Sequence, residues 1–137
     1  MRIFPVLWAL TSGGVRMLGS KDMALIYKIV SKDEWKKAEE TGVFPGAAVD
    51  IADGFIHFST GEQVAETANK HFKEQKNLLL VAVDEDELDE EALRYEVSRG
   101  DAFFPHLYGE LSLEAVVGVS PFEADGKGIY HFSEVLP

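Results

Sequence analysis

A chain of 137 residues has the length of one ordinary domain, and its 46% apolar and 27% charged residues are the balance of a globular fold. A net charge of −11 repels a phosphate backbone, and the 13 Lys and Arg form no basic stripe, which excludes nucleic acid as an expected partner. No apolar run approaches the roughly eighteen residues that cross a bilayer, and zero cysteines exclude disulfides, thiolate nucleophiles and cysteine zinc sites, so no membrane is expected and the balance fits the cytoplasm.

The first 22 residues hold a short apolar run, Ile3 to Leu10, behind Arg2, followed by Thr11-Ser12-Gly13-Gly14. The run resembles a weak secretory leader, but it has a single positive charge and no small-x-small cleavage site. It reads as an extension outside the fold, with one domain spanning residues 23–137.

Ala24–Val30 is rich in β-branched and aliphatic residues and predicts the first strand. Ser31 and Glu34 then form a capping box that starts a helix burying Trp35 and Ala38, ended by Gly42 before the Phe44-Pro45-Gly46 loop. Asp53-Gly54 turns the chain into a strand over Phe55–Ser59. Thr60 and Gln63 repeat the capping-box spacing and open a second helix, with Val64, Ala68 and Phe72 on its buried stripe and His71 beside them as a structural residue. Leu78–Val83 is continuously apolar, as in a strand covered on both faces, and the acidic run from Asp84 to Glu91 is a solvated connector. Strands follow at Leu93–Ser98, at His106–Leu111 after a Phe103-Phe104-Pro105 corner, at Ala115–Phe122 and at Ile129–Phe132. Helices early and strands late give an α+β class.

Side chains alternate faces along a strand, so parity assigns neighbours. His57 and Ser59 oppose Ile56 and Phe58. Arg94 and Glu96 oppose Leu93, Tyr95 and Val97. His106, Tyr108 and Glu110 oppose Leu107 and Leu111. If the three polar faces line one cleft, they assemble His57, Ser59, Arg94, Glu96, His106 and Tyr108. Histidine exchanges protons near neutral pH, a carboxylate acts as base or holds a ribose hydroxyl, and arginine clamps an anion. The bland alternative is that Arg94 and Glu96 decorate a half-exposed sheet. His131 reads as a satisfied structural histidine. G-x-G-x-x-G, the P-loop pattern, H-E-x-x-H and G-x-S-x-G are all missing, and the four histidines lack close metal-ligand spacing, so no metal is expected.

IYKI, DGFIHFST running into a helix, LRYE and FPHLYG together resemble the domain-of-unknown-function family 952 of bacteria and plants, over residues 23 to 135. That resemblance implies an ADP-ribosyltransferase-like fold: two small, mostly antiparallel sheets splayed around an NAD-binding cleft, with two helices in the N-terminal half. As an enzyme of that class, the chain would use His57, Glu96 and His106 as catalytic residues. Tyr27, Ser59, Arg94 and Tyr108 become substrate-binding: His57 and Ser59 on the nicotinamide ribose, Tyr27 or Tyr108 on the nicotinamide, Glu96 on the developing oxocarbenium charge and Arg94 on the pyrophosphate. The first strand offers Tyr27 and Lys28 where characterised transferases of that fold carry His or Arg, an order that equally permits a retained cleft with a changed ligand. Three readings stand: an NAD-dependent transferase-like enzyme, a non-catalytic small-molecule binding module, and a partner-binding domain using the Phe103-Phe104-Pro105 corner.

Overall fold

The computed structural model describes residues 24–98 and 102–133; the extension expected over residues 1–22 lies outside the described residues. β1 (Leu25–Ser31) ends on the cap of the next element. Ser31 Oγ accepts from the Glu34 N–H at 3.0 Å, and Glu34 Oε1 accepts from the Ser31 N–H at 3.1 Å, the reciprocal pair set by the Ser-x-x-Glu spacing. α1 (Lys32–Thr41) buries Trp35 and Ala38 and stops at Gly42, whose φ of 88° costs glycine nothing.

After β2 (Val43–Phe44) the chain forms α2 (Ala48–Asp53), where the sequence predicted only loop and turn. Six residues are too few to display a helical period. The helix is held by its own aspartate: Asp50 Oδ2 accepts the Ala47 N–H at 2.8 Å and the Asp50 carbonyl accepts the Gly54 N–H at 2.8 Å. α3 (Val64–His71) starts later than its predicted cap, because Thr60 and Gln63 close a separate turn, with the Thr60 N–H donating to Gln63 Oε1 at 3.0 Å. The described N-terminal half therefore carries three α-helices and not two.

β3 (Ile56–His57), β4 (Leu78–Asp84), β5 (Leu93–Val97), β6 (Phe103–Leu107), β7 (Leu111–Ser112) and β8 (Val116–Phe122) complete the strands. Among the described residues they form three antiparallel sheets, ordered β1-β4-β8, β2-β7 and β3-β6-β5, where two were expected. The predicted Phe55–Ser59 strand is divided between two of them for a local reason. The Phe58 N–H donates to the Pro105 carbonyl at 2.9 Å, but Pro105 has no N–H to return, so pairing with β6 stops. Ser59 then exchanges both backbone bonds with Tyr27 at 2.8 Å, handing the chain to β1.

Phe103-Phe104-Pro105 is strand and not corner. The strand expected at Ile129–Phe132 is absent: Tyr130 is buried there, but the Asn69 side chain replaces a strand partner, accepting the Tyr130 N–H at 2.8 Å and donating to its carbonyl at 3.1 Å. β4 lies between β1 and β8 with apolar residues on both faces, as its unbroken pattern predicted. One face packs Ile26, Val30, Val81 and Val83 against Trp35, Phe44, Phe58 and Leu107; the other packs Tyr27, Ile29, Leu80 and Ala82 against Val64, Ala68, Phe122 and Tyr130. Each such large side chain stabilises the fold by about 1.5–3 kcal/mol when fully buried. Among the described residues no helix is long and apolar enough to cross a membrane.

Candidate functional site

Cross-strand partners share a face of a sheet, and the register places His57 opposite His106 and Arg94 opposite His106, so the three side chains form one row. The two imidazole centroids lie 5.5 Å apart, close enough for one small ligand to span both. Ile56 and Leu107 face the core, as strand parity requires. Phe55 stacks on His106 at 4.1 Å and also contacts His57 at 4.6 Å and Tyr108 at 5.2 Å.

His57 belongs to an ionic cluster built around the buried Asp50. Asp50, 1% exposed, takes the His57 Nδ1 at 2.6 Å, the His57 backbone N–H at 3.1 Å and the Lys28 ammonium at 2.9 Å, while Asp53 meets His57 Nε2 at 2.9 Å. The ring thus lies between two carboxylates, one at each nitrogen. Burial pushes the Asp50 carboxyl up, but the hydrogen bond from His57, the charge and hydrogen bond of Lys28 and the Ala47 N–H outweigh it and bring Asp50 down to about 2. Burial pulls the Lys28 ammonium below the ordinary lysine value, although the neighbouring Asp50 charge works the other way.

His106 is held differently. Its Nδ1 lies 2.8 Å from Glu96 Oε1, which also accepts the Tyr108 hydroxyl at 2.8 Å. The hydrogen bonds from His106 and Tyr108 lower the Glu96 carboxyl, and the same bond raises the Tyr108 phenol. Arg94 sits 5.0 Å above the Tyr108 ring. The other nitrogen, His106 Nε2, is buried and has no hydrogen-bond partner among the described residues. An orphaned polar atom costs about 1–3 kcal/mol, and folds retain such an atom where it has a use.

A cavity of about 490 Å³ adjoins these groups. Of the sequence-predicted site residues, Tyr27, His57, Ser59 and His106 line it. Arg94, Glu96 and Tyr108 do not; they form an outer layer that reaches the cavity through the His106 ring, so of the six residues expected to share one cleft only His57, Ser59 and His106 line it. The reason is depth: His106 is buried on the central strand of its sheet, whereas β5 is the outer strand and Tyr108 lies beyond the end of β6. Phe58, Phe104 and Phe72 add aromatic lining, and Thr67 and His71 reach it from α3, the former accepting from the Ser59 hydroxyl at 3.5 Å. His131 lies elsewhere, exposed and paired with Asp125 at 2.9 Å. Of the Phe103-Phe104-Pro105 stretch expected to form an apolar patch, only Phe103 is exposed.

Sequence reasoning missed Asp50, Asp53 and Lys28 as members of the site. One signal was present: an Asp-x-x-Asp-Gly run ahead of the strand bearing His57. Gly46 supports this arrangement, having a φ of 117° and space so tight that an added Cβ would lie 2.9 Å from Asp50 Cβ. Gly46→Ala is expected to destabilise the protein by about 1–3 kcal/mol, read from the urea midpoint, through left-handed strain and displacement of Asp50.

The fold and site define a small α+β protein with two histidine–carboxylate systems beside one cavity. A family model described as Protein of unknown function (DUF952) matches residues 29–119, and the chain belongs to that family. The crystal structure of protein CC0527 from Caulobacter crescentus is 50% identical, covering 78% of this chain and 93% of that one with a TM-score of 0.74. The solution NMR structure of CC0527 is likewise 50% identical, covering 80% and 93%, with a TM-score of 0.71. No curated protein matches the chain.

Proposed function

We propose that the cavity binds a phosphate-free, ring-bearing small molecule of nucleoside size, and that His106 Nε2 exchanges a proton with it. The observation that carries this reading is the buried Nε2, unpartnered among the described residues, of a cavity-lining histidine whose Nδ1 is fixed by a carboxylate. With Glu96 accepting the Nδ1 proton, neutral His106 presents Nε2 as an acceptor, the arrangement of an oriented general base. A volume of about 490 Å³ lies within the range of small-molecule sites.

An ADP-ribosyltransferase-like glycosyl transfer is the reaction class favoured by the family resemblance, and the lining fits NAD in part. Tyr27, Phe58 and Phe104 suit a flat ring and Ser59 suits a ribose hydroxyl. The diphosphate does not fit: Lys28 and His57 already face the Asp50 and Asp53 carboxylates, and Arg94 lies outside the cavity over Tyr108. The ligand is therefore closer to the nicotinamide riboside end than to the whole dinucleotide. The aromatic lining, with its cations already facing carboxylates, equally favours a binding module without turnover.

Thermal unfolding and calorimetry with nicotinamide riboside, adenosine and NAD test this. A riboside present at about 100 times its Kd raises stability by about 2.7 kcal/mol, with NAD weaker. Nicotinamide release with the stabilisation supports transfer, and stabilisation without product supports the binding module. No shift with any of the three overturns the ligand reading.

A further inference from the structure

β5 is the outer strand of its sheet, paired on one side only among the described residues. The Tyr108 N–H donates to the Ala92 carbonyl at 2.8 Å and the Ser98 N–H to the Ala102 carbonyl at 3.0 Å, which shows that the even-numbered residues of this stretch aim their backbone groups at β6. Leu93, Tyr95 and Val97 therefore aim theirs outward, and Pro105, which lacks an N–H, is the partner of Tyr95 where none is needed. The Leu93 N–H is taken by the Asp89 carbonyl at 3.1 Å. Among the described residues the N–H groups of Tyr95 and Val97 remain an open ladder, of the kind that templates another strand. Beside it lies an apolar strip: Tyr95 is 43%, Val97 53% and Phe103 58% exposed, and Val97 and Phe103 are cross-strand partners.

We propose that two copies of this chain associate through β5, antiparallel, with Tyr95 of each opposite Tyr95 of the other. An antiparallel partner must set outward residues against outward residues. In the register centred on Tyr95, Leu93 meets Val97 of the second copy, and Arg94 meets Glu96 of the second copy, with the same contact repeated by the two-fold axis. The adjacent allowed registers centre on Arg94 or on Glu96 and bring like charges face to face. Charge thus selects one register, and the complementarity is internal to the strand, which points to a second copy and not to a foreign peptide. The pairing also sets a second arginine beside Glu96, the carboxylate that holds His106.

Sedimentation equilibrium on the full chain tests this. The wild type is expected to dimerise with a Kd on the order of micromolar, given a contact at the small end of specific interfaces. Arg94→Glu and Glu96→Arg each weaken that dimer about tenfold or more, because like charges then oppose each other across both symmetric contacts. An equimolar mixture of the two variants restores it, since the acidic pair of one strand meets the basic pair of the other. Val97→Pro removes an outward N–H at an edge position that tolerates proline, and abolishes the dimer without altering charge. A wild type that stays monomeric at millimolar concentration overturns the proposal, as does a mixture no more dimeric than either variant alone. If a charge variant fails to fold by circular dichroism, Val97→Pro decides alone, and its undiminished dimerisation overturns the proposal.

Discussion

Asp50→Ala is expected to destabilise the protein by about 3–5 kcal/mol, because it leaves the Lys28 ammonium buried at 6% exposure with its counter-charge gone. Against a total stability of roughly 5–15 kcal/mol this is a large share. The check is urea denaturation, with a lowered midpoint and an unchanged slope. Combining it with Lys28→Met should recover part of the loss, giving a coupling energy of about 0.5–3 kcal/mol, since the unpaired ammonium is then removed. Recovery stays incomplete, because the Ala47 N–H, the His57 N–H and the His57 ring also use Asp50.

The same carboxylate sets an acid dependence. Its folded-state value of about 2 lies below the ordinary 3.8, so the stabilisation is fully present above pH 3.8 and is lost as pH falls through about 2. At about 1.4 kcal/mol per unit the contribution is about 2 kcal/mol. Stability measured from pH 5 to pH 2 should fall more steeply for the wild type than for Asp50→Asn. Parallel slopes would show that Asp50 is not the group responsible.

His106→Ala is expected to lower turnover of whatever substrate the ligand survey identifies, nicotinamide release being the first product assayed, by about 10²- to 10⁴-fold, the usual contribution of a positioned acid or base. The fold should survive, since the side chain lost donates only to Glu96, a half-exposed partner. Glu96→Gln makes a sharper test of orientation. An amide can accept from Nδ1–H or donate to bare Nδ1, so it no longer enforces the tautomer that leaves Nε2 as acceptor. The expected signature is a lower kcat with an unchanged KM and an altered pH–rate profile, which a purely structural role for Glu96 would not produce. Equal activity of all three proteins would mean that His106 takes no part in the chemistry.

How far the site could be read beforehand varied with the physical signal each residue carries. Strand parity is local, so the shared face of His57 and Ser59, the opposite facing of Ile56 and Phe58, and the core direction of Leu107 were legible from spacing alone. The helix bearing Asp50 and Asp53 was not, because six residues span fewer than two turns and present no period. The division of the Phe55–Ser59 strand between two sheets depended on Pro105, nearly fifty residues away, lacking the N–H that Phe58 would have accepted.

From the sequence come the α+β class, the capped first helix, the doubly covered β4 strand, the family and the polar faces of three strands, because each rests on periodicity, caps or turn residues within a short window. Only the tertiary structure decided that β3 and β5 flank β6, so that both imidazoles meet across one row while Arg94, Glu96 and Tyr108 stay outside the cavity. It also decided that Lys28, Asp50, Asp53 and His57 form one cluster. Those pairings depend on which strands lie adjacent and how deeply each is buried, and both follow from long-range packing that no local window contains.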